Sequence, residues 1–321
     1  VGGTQTVMRT MVEHGIGADE VVAAPTWDGP NQARNLLLLW RAIVMIARSR
    51  PGTILHAHLA SGGAYLREGA AMSFARAIGR PVVVTIHSFG FVAFAGSHPR
   101  FVRAVLSRAD HVVCLSEEAR EIAARLLGHD EVTIIANPVV IDWESAPADT
   151  TAPIVLFGGA IGTRKGVDVL VEAWRLLQMR GIEAECHLVG PIDDYQPPHV
   201  DGLVTHPPVS ATAMRELIRT ARLIVLPSRS EGMPMILSEA IAAGRPFVAT
   251  PAGGTRDLAI SDDMITPFDD PEALAERIAR YLTDPSAAAA DGGRARELCA
   301  STRSPEVIGE QLGRIYARVG R

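Results

Sequence analysis

Cysteine is scarce in this chain of 321 residues: Cys114, Cys186 and Cys299 are the only three, far apart and in no metal-ligand spacing. That excludes a disulfide scaffold and a cysteine-based zinc site, and it fits a reducing compartment. Aromatic residues make up 5%, too few for base-stacking platforms. The longest apolar run, Leu36 to Ala47, is broken by Arg41 and is too short to span a bilayer. Positive charge is not in excess, since the net charge is −5, which excludes a dedicated nucleic-acid binder. What remains is a soluble, cytoplasmic protein whose length suits two domains.

Lysine is nearly absent. Of 31 Lys+Arg, one is Lys165 and the other 30 are arginine. A chain that uses arginine almost everywhere keeps one compact ammonium, inside a glycine-bearing loop. The two cations are not interchangeable where a phosphate is met by a point charge. Codon bias with one stray lysine is the competing explanation.

Short apolar runs alternate with helical periods. Strands are expected at 20–24, 53–58, 81–87, 110–115 and 132–135, and helices at 4–14, 32–48, 63–78, 99–107 and 117–127. Continuous runs such as Val82-Val83-Val84 suit a parallel sheet covered on both faces. A Pro-, Ala- and Asp-rich stretch from Trp143 to Pro153 reads as a linker. The alternation then restarts with strands at 154–157, 184–189, 223–226 and 246–250 and helices at 167–180, 211–220 and 234–243. The end of the chain is helical, over 271–283, 286–298 and 305–319. The expected architecture is α/β, with two Rossmann-like parallel-sheet domains facing a central cleft. The domains are 1–142 and 143–304, and a final helix at 305–321 crosses back to the first. A Gly-Gly loop usually follows a strand, so the strand before Gly2-Gly3 is expected to lie ahead of Val1.

Three strand-to-loop-to-helix passages in the second half carry chemistry. Pro227 to Glu239 holds two carboxylates, Glu231 in the loop and Glu239 in the helix. Pro234 stands at the first helical position, where its missing N–H costs nothing. The helix N-terminus is a natural phosphate site, and a loop carboxylate beside it can accept hydrogen bonds from sugar hydroxyls. Phe157 to Gly166 sets glycines beside Arg164 and Lys165, without the spacing of a Walker or a dinucleotide loop. Ala249 to Asp257 is a third such loop, with Gly253-Gly254. The alternatives are a capping carboxylate with an exposed helix glutamate, and a solvated basic turn. In the first half His58 and His87 end strands. His56 and His58 alternate onto one sheet face, and the pair lacks a third metal ligand of clear spacing.

The Glu-x7-Glu cluster, the Gly…Lys-Gly loop and the Pro-x-Gly-Gly loop, in this order, resemble glycosyltransferase family 4, of GT-B fold. His58-Leu-Ala-Ser-Gly-Gly, Val84-Thr-Ile-His87, Leu115-Ser-Glu and Asn137-Pro138-Val139 resemble its polysaccharide-assembly members, so the likeness runs over the whole chain. It implies a retaining, metal-independent hexosyltransferase with a nucleotide-diphosphate sugar as donor substrate, no cofactor, and a glycan or lipid-linked acceptor. By the same likeness Lys165 meets the donor phosphates, with Arg164 beside it. Glu231 holds sugar hydroxyls, with Gly232, Met233 and Pro234 nearby, and Glu239 holds the ribose. Val209 lies near the base, Gly2 and Gly3 lie beside the diphosphate, and His87 sits near the reacting sugar.

Two positions depart from the family pattern. Gly158-Gly159 stands where Gly-Arg is common, so the second phosphate cation is missing there, and His87-Ser88 stands where His-Gly is common. A GT-B sugar-nucleotide epimerase and a non-catalytic sugar-nucleotide binder are the alternatives. Arg34, Arg41 and Arg48 form one basic stripe on an apolar helix. The stripe suits peripheral contact with the inner face of the cell membrane, or else a core helix with its polar edge in water.

Overall fold

The computed structural model describes residues 3–321 apart from Ser61, Ser88, Phe89, Asp130, Asp142 and Trp143. The chain forms two compact units, Val1–Pro138 with Pro305–Arg321, and Val139–Ser304. The break falls at 138/139 rather than 142/143 because the Val139 N–H donates to the Arg303 carbonyl at 2.8 Å, which ties Val139 into the second unit.

The first unit runs α1 (Gly3–Glu13), α2 (Gln32–Arg48), β1 (Leu55–Leu59), α3 (Gly62–Ala77), β2 (Val82–Ile86), α4 (Phe91–Ser97), α5 (Pro99–Leu106), β3 (His111–Cys114), α6 (Glu117–Leu127) and β4 (Val132–Ile134). Its strands are parallel, in the order β1-β2-β3-β4. Every residue of β2 is buried, as expected of a valine run covered on both faces. Asn31 caps α2 by accepting from the Arg34 N–H, and Ser116 caps α6 by accepting from the Ala119 N–H. Residues 20–24 are not a strand. They lie outside both sheets, and Val22 is 65% exposed. A β-branched run becomes a strand only where its backbone finds a neighbouring edge.

The second unit runs β5 (Ile154–Gly158), α7 (Val167–Met179), β6 (Glu185–Val189), β7 (Leu203–His206), α8 (Ala211–Thr220), β8 (Leu223–Leu226), α9 (Met235–Ala242), β9 (Phe247–Ala249), α10 (Pro271–Thr283) and α11 (Pro285–Arg303). Its sheet is parallel, ordered β7-β6-β5-β8-β9. Phe157, Trp174, Phe247 and Tyr281 fill its core. Helix α9 begins at Met235, so Pro234 is its cap in extended geometry rather than its first helical residue.

Helix α12 (Pro305–Val319) belongs to the first unit. Ile308, Leu312 and Ile315 are its buried stripe. The Tyr316 hydroxyl lies 2.6 Å from His56 Nδ1, and Arg318 pairs with Glu131 at 2.6 Å. Gly17 gives α12 room, since a Cβ there would stand 2.7 Å from the Tyr316 ring.

Candidate functional site

In the second unit the chain passes from β5 outward to β6 and β7, then returns to add β8 and β9 on the other side of β5. The strand order therefore reverses between β5 and β8, and ligands of open parallel sheets bind outside the carboxyl ends of strands at such a reversal. The two loops that leave this point are 159–166, after β5, and 227–234, after β8. They carry Lys165 and Glu231.

Several contacts lock these loops together. Gly166 has φ 69°, and a Cβ on it would stand 1.9 Å from the Pro227 carbonyl oxygen, so only glycine lets the two loops touch. The Arg229 N–H donates to the Arg164 carbonyl at 2.9 Å. The Arg229 guanidinium grips Asp168 with two hydrogen bonds of 2.8 Å, reaches Asp269 at 2.6 Å, and also donates to the Thr163 carbonyl. These bonds hold the Asp168 carboxyl below its ordinary range. The third loop closes over the second: the Gly254 N–H donates to the Gly232 carbonyl at 2.7 Å. A Cβ on Gly253 (φ 56°) would stand 2.3 Å from the Glu231 carbonyl oxygen.

At this junction Lys165 Nζ donates to Glu231 Oε1 at 2.6 Å, with side-chain exposures of 16% and 8%. The only lysine of the chain and the loop carboxylate are thus one ion pair. A Cβ on Gly159 would lie 3.7 Å from Lys165 Cε, so a side chain at 159 would reach the same ammonium. Arg164 Nη1 donates to the Ser230 carbonyl at 3.3 Å. Met233 and Pro234 are buried, and the Pro234 carbonyl accepts from the Leu237 N–H at 3.2 Å. Glu239 lies in α9, where burial pushes its carboxyl pKa up and Arg215 pulls it partly back. Val209, 38% exposed, immediately precedes Ser210, the cap of α8.

The remaining predicted residues belong to the first unit. Gly3 opens α1, while Gly2 lies outside the described residues. His87 directly follows β2, and its N–H donates to the Leu59 carbonyl at 2.8 Å. Its ring Nε2 lies 2.8 Å from His58 Nδ1. Among the described residues no group of three or more His, Cys, Asp or Glu is placed to hold a metal ion. The Arg229 strut and the histidine pair escaped the sequence reading. A loop arginine with acidic residues at distant positions gives no periodic signal.

Residues 2–143 match the family model Glycosyltransferase Family 4, and residues 152–284 match Glycosyl transferases group 1. The chain is 28% identical over 263 residues to a D-inositol 3-phosphate glycosyltransferase of Xylanimonas cellulosilytica, covering 70% of this chain and 61% of that one. It is also 28% identical over 314 residues to the alpha-D-kanosaminyltransferase of Streptomyces kanamyceticus, covering 85% and 79%. The chain therefore spans less than two thirds of the length of the first of these relatives. In fold it is similar to Anabaena Alr3699/HepE, solved in complex with UDP and glucose, with TM-score 0.74 at 16% identity, covering 98% of this chain and 96% of that one. Sucrose-phosphate synthase from Thermosynechococcus elongatus matches with TM-score 0.70 at 21% identity, covering 93% and 82%. With residues 2–143 and 152–284 each matched by a glycosyltransferase model, together most of the chain, and with two parallel-sheet units, the chain belongs to the family 4, group 1 glycosyltransferases and has the GT-B fold.

Proposed function

We propose that this chain is a retaining hexosyltransferase that moves a sugar from a nucleoside-diphosphate donor to a glycan or lipid-linked acceptor, without a divalent metal. The observation that carries the reading is the Lys165–Glu231 pair at 2.6 Å, set where the strand order of the second sheet reverses. Lys165 takes the donor diphosphate and Glu231 the sugar hydroxyls. The half-buried backbone of Gly232 and the N-terminus of α9, with Met233 and Pro234, complete that side. Glu239 takes the ribose, Val209 the base and Arg164 the outer phosphate oxygens, and the family likeness assigns Gly2 and Gly3 to the diphosphate.

Transfer is a displacement on one face of the sugar. The acceptor hydroxyl oxygen bonds to the anomeric carbon, the bond from that carbon to the phosphate oxygen breaks, and the hydroxyl proton passes to the departing phosphate. Negative charge grows on the diphosphate as the bond breaks, so a fixed cation stabilises the transition state more than the bound donor. His87 of the first unit is assigned to the reacting sugar. Donor binding requires Lys165 to exchange its carboxylate for phosphate, and Glu231 to exchange its ammonium for hydroxyls.

Membrane contact belongs to the same reading. Among the described residues no helix is long and apolar enough to cross a membrane. On α2, however, Leu36, Leu37 and Trp40 are 66%, 47% and 62% exposed, in a helix that has three arginines and no acidic residue. That face suits an anionic lipid surface carrying the acceptor.

The test is incubation with UDP-glucose, UDP-N-acetylglucosamine and GDP-mannose, each with and without membrane extract. Release of nucleoside diphosphate that depends on the extract, with the product keeping the donor anomer, supports the proposal. Conversion of the donor without extract indicates the epimerase. Gly159, which offers no second cation, favours the non-catalytic binder as the other reading. That reading predicts thermal stabilisation, about 2.7 kcal/mol at one hundred times the dissociation constant, with no turnover.

A further inference from the structure

Three imidazoles lie together, two on β1 and one just past the end of β2, and the proposed transfer uses only one of them. His56 and His58 stand on the same face of β1 with ring centroids 4.5 Å apart and planes 25° apart. Both nitrogens of His56 are bound, Nδ1 to the Tyr316 hydroxyl at 2.6 Å and Nε2 to the Thr85 hydroxyl at 2.7 Å. His56 is thereby a fixed wall against one face of His58. On the other side His58 Nδ1 meets His87 Nε2 at 2.8 Å. The backbone under this last pair is fixed too, since His58 pairs with Thr85 in the ladder and the His87 N–H bonds to Leu59.

All three rings are held neutral. Burial pushes His58 down to about 4 and puts His56 and His87 well below the ordinary histidine value. Two neutral imidazoles joined nitrogen to nitrogen share one proton, so their tautomers are locked to each other. If His58 donates from Nδ1, His87 accepts at Nε2 and carries its proton on Nδ1. If His58 accepts, His87 donates from Nε2 and its Nδ1 is a lone pair. What His87 offers at its second nitrogen is therefore tied to where His58 carries its proton.

We propose that His58 is a positioning residue for His87, fixing the angle of its ring and whether its Nδ1 offers a proton or a lone pair. The inference rests on the reading that His87 serves sugar transfer. His58 itself touches neither donor nor acceptor. It acts through one hydrogen bond, and the stacked His56, anchored by Tyr316 of α12, keeps it in register.

The test has an arm that needs no donor. Nitrogen-15 NMR of the histidine rings in the full chain at pH 7.5 is expected to show His87 as a single tautomer. In His58→Phe, which keeps a ring against His56 but has no nitrogen, His87 is expected as a mixture. His58→Asn, whose side-chain amide reaches the place of Nδ1, restores one tautomer. If His58→Phe does not fold, His58→Leu, which also has no hydrogen-bonding group, takes its place. The kinetic arm uses the nucleotide sugar that turns over in the donor panel. His58→Phe is expected to lower kcat by about 10²-fold with little change in KM for the donor, and His58→Asn recovers most of the rate. The double variant His58→Phe/His87→Ala should be no slower than His87→Ala alone. A single unchanged His87 tautomer in His58→Phe overturns the inference, and so does a rate loss that adds to that of His87→Ala. If His87→Ala transfers at the parent rate, the assignment of His87 fails instead, and the NMR result still decides whether His58 governs it.

Discussion

Lys165→Ala separates two effects that the ion pair combines. The variant removes the cation assigned to the leaving diphosphate, and it strands Glu231, whose side chain is only 8% exposed. Losing one preorganised charge-stabilising group costs about 10²–10³ in kcat. Removing one partner of a buried ion pair costs about 3–5 kcal/mol of stability. Because Lys165 keeps 16% exposure, the lower end applies, about 3 kcal/mol, or a fall in Tm of about 6–12 °C. The double variant Lys165→Ala/Glu231→Gln has no stranded charge. It is expected to regain most of the stability and none of the rate. The assays are thermal melts of parent, single and double variants, and steady-state transfer by each with the productive donor. If the double variant regained the rate together with the stability, Lys165 would be a structural partner of Glu231 and the leaving-group role would be refuted.

Gly166→Ala is expected to cost about 2 kcal/mol or more and to lower transfer, because its methyl group meets the Pro227 carbonyl. Thermal melts and transfer rates check this, and a variant as stable as the parent contradicts it. The neutral histidines make the first unit acid-sensitive. Their folded pKa values lie below the unfolded value, so the stability they allow is complete above about 6.5 and declines as the pH falls toward 4. Each contributes a slope of up to about 1.4 kcal/mol per pH unit in that window. Denaturant titrations at pH 7.5 and 5.0 measure it, and equal stability at the two values refutes it. Trp40→Glu with Leu36→Glu is expected to abolish co-sedimentation with vesicles containing phosphatidylglycerol while leaving the melt unchanged. Vesicle binding equal to the parent's removes α2 from the membrane reading. Tyr316→Phe loses the hydrogen bond to His56 and is expected to cost about 1 kcal/mol, read by denaturant titration; no change would show that bond to be idle.

The parallel strands were legible in the sequence wherever both faces are covered, as in Val82-Val83-Val84, because burial on both sides leaves a continuous apolar run. Strand β7 was not. Leu203–His206 sits at the sheet edge with no residue fully buried, so its four residues carry too weak a pattern. Helix α4 is not among the helices expected from the sequence. Phe91-Val-Ala-Phe has little intrinsic helix preference, and the burial of Phe91 and Ala95 makes the helix. Residues 20–24 show the reverse error, a strand-like run with no neighbour to pair with. In the candidate site the glycines and charges of the three loops were visible, because each follows a strand. Their pairings were not. Lys165 and Glu231 are 66 positions apart, and His58 and His87 are 29 apart, so only the order of the strands brings each pair together.

The central claim, that Lys165 holds the phosphate that leaves, is tested most directly by binding calorimetry of matched nucleotides. UDP with UMP and GDP with GMP are titrated into the parent and into Lys165→Ala. The parent is expected to bind one of the diphosphates at least about tenfold more tightly than its monophosphate, a difference of about 1.4 kcal/mol. Lys165→Ala is expected to bind the two alike. A preference for the diphosphate that survives the substitution, or a parent that binds none of the four, would contradict the account.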